Sequence, residues 1–229
     1  MTPKPVLELK NINKQYGKSV VTKVLKNINL KVYSEEFVSV VGSSGSGKTT
    51  LLNILGLLDT PTSGEVIIGG KNAASLSEDE RAMNRRNFLG FIFQFHYLLS
   101  EFTVLENAMM PCLLSGSKCD NNKKEKMIEL LERVGLGDRL HYKPSELSGG
   151  QQQRVAVVRA LANEPTIVLA DEPTGNLDSK SGQAVIDLMK ELNEYTGTSF
   201  LMVTHDKDFA SQTKKTIHLV DGTIEDNGS

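Results

Sequence analysis

The sequence predicts an α/β fold that has a mixed, mostly parallel sheet, an N-terminal antiparallel β region and an inserted helical region. Three observations support this prediction. Short apolar strands alternate with helical patterns along much of the chain, as expected for parallel strands joined by helices. Ahead of the first such helix, strands with alternating apolar residues follow one another directly, which is typical of antiparallel pairing. Residues 96–162 are mostly helical in pattern.

The N-terminal part is predicted to contain mainly strands. These share short apolar or alternating patterns and cover residues 6–12, 28–32, 37–41, 66–68 and 91–93. A Gly/Ser loop and a leucine-rich helix over residues 51–58 follow the third strand. Pro61 and Gly64 then indicate a turn.

The middle and C-terminal parts complete the fold. Met127, Leu130, Leu131 and Val134 form an apolar helical face between charged side chains, which we interpret as the solvated face. Beyond the helical region, a helix is expected at residues 181–195 and strands at residues 166–170, 199–203, 216–220 and 223–225. Asp221-Gly222 predicts a hairpin between the last two strands.

This order predicts one domain over residues 1–229. Residues 1–95 and 163–229 would form its core, including the β subdomain, and residues 96–162 a helical subdomain.

Composition and charge exclude several classes of protein. With 26 basic and 28 acidic residues, the net charge of -2 argues against a dedicated nucleic-acid-binding protein. The two cysteines, Cys112 and Cys119, show no metal-ligand pattern, and we expect both to be reduced, with Cys112 as apolar filler. No apolar run reaches the roughly 20 residues of a transmembrane helix, and residues 1–5 lack the apolar segment of a signal peptide. We therefore expect a cytoplasmic chain that reaches a membrane only through a partner.

The Gly/Ser loop matches the phosphate-binding pattern Gly, any four residues, Gly, Lys, then Ser or Thr. Its residues are Gly42, Ser43, Ser44, Gly45, Ser46, Gly47, Lys48 and Thr49, followed by Thr50. Small residues let several backbone N–H groups face one anion, and the following helix adds the positive end of its dipole. Lys48 can reach the β- and γ-phosphates, and the Thr49 hydroxyl can bind Mg²⁺. The loop predicts a P-loop NTPase core.

Two acidic residues end the apolar strand at residues 166–170. Asp171 suits the second Mg²⁺ contact of P-loop NTPases, and Glu172 could orient a water molecule at the γ-phosphate as a general base. The alternative is a pair of surface acids that open the turn before Pro173. The presence of Lys48 and Thr49 favours the metal and base interpretation.

A second candidate anion site lies far downstream in the sequence. Ser148 and Gln151 are spaced as a capping box at a helix start, which is a sufficient local explanation for both residues. It does not explain Gly149 and Gly150, which would let another group approach the helix start closely. Two phosphate-binding elements on separate parts of one chain predict a symmetric pair in which each copy completes the site of the other.

These elements, in this order, resemble the ATPase subunits of ABC transporters over nearly the whole chain. Residues 42–50 resemble the Walker A loop, residues 167–172 the Walker B strand, and residues 147–151 the signature that contacts ATP bound to the opposite subunit. The resemblance implies hydrolysis of ATP with Mg²⁺ by a dimer of two copies. It also implies integral membrane permease subunits as partners, a peripheral location at the cytoplasmic face of the inner membrane through those partners, and no nucleic-acid partner.

The resemblance implies roles for individual residues as well. Glu172 matches the catalytic glutamate, His205 the switch histidine that contacts the γ-phosphate, and Gln94 the Q-loop glutamine that contacts Mg²⁺ and water. Tyr16 lies where the family has an aromatic residue that stacks on adenine, although a lone tyrosine is more often a packing residue. Asp178 belongs to a segment that resembles the D-loop, which crosses the dimer interface.

One departure from the family pattern precedes the Walker A strand. Many relatives have Gly-Glu at this point, whereas this chain has Ser34-Glu35-Glu36. We expect the difference to alter a turn and to leave the nucleotide site intact.

Residues 89–107 resemble, more narrowly, the ATPases of lipoprotein-releasing complexes, which extract lipoproteins from the inner membrane. The same group includes ATPases of macrolide and peptide exporters, and such an exporter is the alternative. Aromatic residues in this stretch suit a groove for a helix of the membrane subunit, but for Phe93 and Phe102 a place in the core is the favoured interpretation.

Other P-loop ATPases fit the sequence less well. The ABC ATPases that act on DNA carry long coiled coils and those that act on ribosomes usually carry two cassettes, and this sequence has neither. A kinase or other P-loop enzyme would not need residues 148–151.

Overall fold

The structure is a computed structural model that describes residues 4–17, 19–73, 76–114 and 119–225. Its strands are β1 (Pro5–Tyr16), β2 (Thr22–Tyr33), β3 (Phe37–Val41), β4 (Ser63–Ile68), β5 (Lys71–Asn72), β6 (Leu89–Ile92), β7 (Ile167–Asp171), β8 (Ser199–Thr204), β9 (Lys215–Val220) and β10 (Thr223–Glu225). Its helices are α1 (Lys48–Leu55), α2 (Glu78–Phe88), α3 (Val104–Leu114), α4 (Asn121–Arg133), α5 (Gly149–Ala160), α6 (Ser179–Thr196) and α7 (Lys207–Ala210), with single 3₁₀ turns at Gly137–Arg139 and Pro144–Glu146.

The central sheet has the strand order β10-β9-β3-β8-β7-β6. Its neighbouring strands pair in parallel, apart from the antiparallel hairpin of β9 and β10. All residues of β3 are buried, as expected for an inner strand that has a neighbour on each side and packing on both faces. The predicted mixed, mostly parallel sheet is confirmed.

The second sheet is antiparallel and has the order β2-β1-β4-β5. Leu7 pairs with Val32 and Leu9 with Leu30, so that apolar side chains share one face. These residues are all buried. The N-terminal antiparallel region was therefore predicted correctly, although β1 extends to Tyr16, beyond the predicted end.

Two apolar cores lie on opposite faces of the central sheet. Along β7, Ile167 and Leu169 join the core shared with the antiparallel sheet and α1, whereas Val168 and Ala170 join the core shared with α3, α4, α5 and α6. The central sheet is thus the middle layer. Helix α5 packs against the sheet in the second of these cores, so its side chains can reach the loop that follows β7.

Helix α2 was not predicted, and its composition explains why. None of its residues is buried, so it lacks the apolar face on which helix prediction depends. The sequence signal that does exist is a capping box, formed by Ser77 and Glu80. Within the described residues, no helix is both long enough and apolar enough to cross a membrane.

The prediction of two reduced cysteines was wrong for this structure. Cys112, in α3, and Cys119, just before α4, form a disulfide with their Cα atoms 5.8 Å apart. Their separation lies within the distance that a disulfide spans. Spacing along the sequence alone does not reveal this approach of the two residues. Cys112 is buried, as expected.

Candidate active site

A cavity of about 440 Å³ opens at the carboxyl edge of the central sheet, where α1 begins. Strands β3, β7 and β8 are parallel neighbours, so the segments that follow them meet at this edge. The cavity is lined by Val24, Ser44, Gly45, Gly47, Lys48, Thr49, Thr50, Asp171, Glu172 and His205. The structure therefore brings together the predicted phosphate loop, the two acids and the predicted switch histidine.

The loop between β3 and α1 needs glycine at two positions for different reasons. Gly47 has φ of 105°, a conformation that side chains disfavour. At Gly42, a Cβ atom would lie 2.3 Å from the carbonyl oxygen of Leu219 and 2.5 Å from Oγ of Ser46. The backbone can curl into a phosphate-binding loop only because these side chains are missing.

Lys48 is held over the loop by two backbone acceptors. Its Nζ donates to the carbonyl oxygens of Gly42, at 2.8 Å, and Ser43, at 3.0 Å. A phosphate group would offer the ammonium group a charged acceptor, and such hydrogen bonds are roughly twice as strong as neutral ones. The arrangement can therefore bind the terminal phosphates of a nucleotide.

Asp171 ends β7, and Glu172 follows it in a left-handed backbone conformation with φ of 45°. This conformation costs a non-glycine residue about 1–2 kcal/mol. It is fixed in part by the Glu172 N–H, which donates to the carbonyl oxygen of Val203 at 2.9 Å. Burial raises the pKa of Asp171, and the charge of Glu172 acts in the same direction, whereas Lys48 opposes them.

Glu172 and His205 are in direct contact. Oε2 of Glu172 lies 2.9 Å from Nδ1 of His205 and accepts a weaker hydrogen bond, 3.3 Å long, from the His205 N–H. The Glu172 side chain is 17% exposed and that of His205 is 70% exposed. The carboxylate is therefore anchored, while the outer part of the imidazole ring remains accessible to a group in the cavity.

The donor set fits Mg²⁺ bound together with a nucleotide. The Thr49 hydroxyl and the Asp171 carboxylate both line the cavity, and both are oxygen ligands of the kind that Mg²⁺ prefers. Among the described residues, no group of three or more His, Cys, Asp or Glu side chains could hold a metal ion. Mg²⁺ commonly takes one or two protein ligands and completes its shell with water and phosphate oxygens.

Gln94 does not line the cavity. Its Nε2 donates to Oδ1 of Asn176 at 3.0 Å, and Nδ2 of Asn176 donates back to the Gln94 carbonyl oxygen at 3.0 Å. Gly175 packs against the same side chain, since an added Cβ would lie 3.0 Å from its Nε2. The structure thus joins the predicted Q-loop glutamine to the predicted D-loop.

The second predicted anion site also lies outside the cavity lining. Ser148 and Gln151 form the predicted capping box, with the Ser148 N–H donating to Oε1 of Gln151 at 2.9 Å. Asp178 caps α6, because its Oδ1 accepts from the N–H groups of Lys180 and Ser181. The hydrogen bonds from Ser181 lower the pKa of Asp178.

Tyr16 belongs to a polar cluster that sequence reasoning missed. Its hydroxyl donates to Oδ2 of Asp59 at 2.6 Å, and Nζ of Lys14 donates to Oδ1 at 2.6 Å while lying 4.6 Å from the Tyr16 ring centroid. Burial raises the pKa of Tyr16, and the hydrogen bond to Asp59 adds to this effect. Burial alone would raise the pKa of Asp59, but the hydrogen bonds from Lys14 and Tyr16 outweigh it and lower the pKa.

Comparison with known proteins identifies the family. The family model described as ABC transporter matches residues 25–175, which is more than half of the chain. The chain belongs to the ABC transporter family. The prediction made from the Walker A, Walker B and signature motifs is thereby confirmed, and this ABC cassette is a nucleotide-binding ATPase of the family.

Relatives of this ABC cassette are similar over nearly their whole length. An uncharacterized ABC transporter ATP-binding protein of Methanocaldococcus jannaschii is 53% identical over 220 residues, which cover 96% of this chain and 97% of the relative. The lipoprotein-releasing system ATP-binding protein LolD of Xylella fastidiosa is 49% identical over 224 residues, which cover 97% of this chain and 92% of the relative.

A solved structure confirms the predicted fold class. The cassette MJ0796, in a dimeric post-hydrolysis state bound to ADP and Pi, is 43% identical and matches with a TM-score of 0.84 over 96% of each chain.

Proposed function

We propose that this ABC cassette is the ATP-hydrolysing motor of a lipoprotein-releasing transporter. Hydrolysis is supported above all by one observation, the meeting of Lys48, Thr49, Asp171, Glu172 and His205 around a single cavity. The cargo is inferred from the relatives named LolD, of which that of Xylella fastidiosa is 49% identical over 97% of this chain. The chain would not itself contact the lipoprotein.

Each side chain of the cavity has a separate role in phosphoryl transfer. The loop N–H groups and Lys48 bind the β- and γ-phosphates of ATP, and Thr49 and Asp171 hold Mg²⁺, which neutralises phosphate charge when bound. Glu172 orients the attacking water and accepts its proton, and His205 contacts the γ-phosphate. Such a reaction depends on positioning and charge neutralisation more than on covalent chemistry. Burial of Asp171 is consistent with a carboxylate whose charge is compensated by a bound cation.

A second copy of the chain completes each site. Residues 148–151 lie outside the cavity of their own chain, so they are available to the ATP bound by a partner. Gln94 does not line the cavity of its own chain and would reach Mg²⁺ and water from the Q-loop once nucleotide is bound. Asp178 would lie at the interface between the copies, and the exposed ring of Tyr16 would stack on adenine. The dimeric relative MJ0796 supports the arrangement.

The proposed domain division and location follow from the same assignment. Residues 1–95 and 163–229 form the catalytic core, and residues 96–162 form the helical subdomain. Permease subunits hold the pair at the cytoplasmic face of the inner membrane.

The name of the relative from Methanocaldococcus jannaschii, which is 53% identical, gives no transported cargo. A motor for a related macrolide or peptide exporter is therefore the second candidate.

Purification of the native transporter tests the cargo. The tagged chain is isolated from native membranes in mild detergent, in parallel with the Lys48→Ala chain, and the membrane subunits and bound lipids are identified. We expect a permease pair with large periplasmic domains and a bound lipoprotein. Recovery of a single permease of the drug-exporter type, without lipoprotein, would contradict the first candidate and support the second.

A further inference from the structure

Gln153, on α5, makes three hydrogen bonds that join the helix to two other loops. Its side chain is fully buried, and its Nε2 donates to the carbonyl oxygens of Pro173, at 2.6 Å, and Phe93, at 3.2 Å. Its Oε1 lies 2.7 Å from Nδ1 of His96. Both amide hydrogens and one oxygen lone pair are thereby used.

His96 fixes the orientation of this amide. Because two carbonyl oxygens require the NH₂ group on their side, Oε1 faces His96 and can only accept, so Nδ1 of His96 carries the proton. His96 is itself held by α5, since Arg159 donates to the carbonyl oxygens of His96 and Tyr97, both at 2.7 Å. The imidazole also lies near the helix start, because a Cβ at Gly149 would be 3.9 Å from its Nε2.

The two acceptors are immediate neighbours of proposed catalytic residues. Pro173 follows Glu172 directly, and Phe93 precedes Gln94 directly. The side chain of Gln153 therefore sets the distance between α5 and the two loops that carry Glu172 and Gln94. An amide bound on three sides in a buried site resists displacement, since each lost partner would leave an unsatisfied polar group.

Given the two-copy ATPase proposed above, on which this inference rests, we infer that Gln153, oriented by His96, is a positioning residue for hydrolysis. When the start of α5 binds the nucleotide of the partner copy, the hydrogen bonds of Gln153 hold the loops that carry Glu172 and Gln94 at a fixed distance from that helix. Neither Gln153 nor His96 touches the cavity, so their effect is on turnover and not on the binding of nucleotide within the same chain.

Two variants test this inference against a matched control. Gln153→Met keeps the length of the side chain but removes the amide, and His96→Phe removes the Nδ1 donor from a ring of similar shape. Gln152→Met is the control, because Gln152 also donates to two carbonyl oxygens, those of Pro144 and Leu147, but to neither loop. For each full-length chain, the Kd of a fluorescent ATP analogue, KM, kcat and the melting temperature are measured.

We expect Gln153→Met to lower kcat by about 10-fold or more, and His96→Phe by roughly 3-fold or more, with Kd and KM within about 3-fold of wild type. The control should keep kcat within about 2-fold of wild type. A parallel loss of ATP binding and kcat in both test variants would indicate a merely structural role and overturn the inference.

Two further results are decisive. If Gln153→Met does not fold, His96→Phe decides, and an unchanged kcat in that variant overturns the inference. If the wild-type chain hydrolyses ATP while both test variants match Gln152→Met, the inference alone fails. Absence of hydrolysis by the wild-type chain, in the purified transporter as well as alone, would overturn the proposed function and the inference with it.

Discussion

Replacing Glu172 by Gln changes the proposed reaction chemistry while altering the shape of the site very little. The amide oxygen of Gln can still accept the hydrogen bonds that Oε2 of Glu172 takes from Nδ1 and the N–H of His205. The bond from the Glu172 N–H to the Val203 carbonyl oxygen involves only backbone and is unaffected. We therefore expect the free energy of unfolding to change by no more than about 1 kcal/mol.

The expected loss is in turnover. An amide cannot take the proton of the attacking water, and general-base catalysis contributes about 10²- to 10⁴-fold. That factor corresponds to roughly 3–5 kcal/mol of activation free energy. Lys48 and Thr49 are unchanged, so ATP should still bind. Two copies carrying uncleaved ATP should then remain paired.

Phosphate release measures kcat for the variant, equilibrium titration measures its affinity for ATP, and size-exclusion chromatography with Mg-ATP measures pairing. Glu194→Gln is the control, because Glu194 is an exposed carboxylate near the C-terminal end of α6 and does not line the cavity. Hydrolysis by Glu172→Gln at the wild-type rate would refute the base role. Loss of ATP binding would refute the argument that the substitution preserves the site.

Three further substitutions have expected outcomes. Lys48→Ala should weaken ATP binding about 10-fold or more, because a charge-assisted hydrogen bond contributes roughly 1.5–3 kcal/mol; an unaltered Kd in equilibrium titration would contradict the phosphate role. Burial raises the pKa of Asp171, so ionisation of this carboxyl group destabilises the folded state. The melting temperature of Asp171→Asn should therefore rise relative to that of wild type as the pH increases from about 4 to 7. A difference in melting temperature that does not vary with pH would count against this. Asp178→Ala removes the cap of α6 and should lower the melting temperature by roughly 2–4 °C in calorimetry. Asp178→Asn, which can still cap, should lower it less; an equal fall in both variants would contradict the capping role.

The parts of the site that could be predicted are contiguous in sequence or follow adjacent parallel strands. The phosphate loop is one unbroken segment, and its conformation depends on its own small residues. Glu172 and His205 come after apolar strands, and the edge of a parallel sheet brings such segments together. Element boundaries were accurate to within a few residues for most strands, because buried runs end where polar loops begin.

The contacts that sequence reasoning missed depend on packing between distant segments. Tyr16 and Asp59 are 43 residues apart, and Gln94 and Asn176 are 82 apart. No local periodicity relates such pairs, since each contact is set by the pairing of strands and the path of loops. The disulfide of Cys112 and Cys119 could not be predicted either, because a spacing of seven residues does not determine the distance between two cysteines in space.

The position of Lys14 makes the two faces of the Tyr16 ring chemically unequal. The Lys14 ammonium group lies over one face of the ring, and both it and the Tyr16 hydroxyl donate to the Asp59 carboxylate, so an incoming purine has the opposite face on which to stack. Lys14 is only 8% exposed, and dissolved ions screen such a buried charge weakly. The restriction of stacking to one face would therefore persist at ionic strengths that abolish ordinary surface attraction.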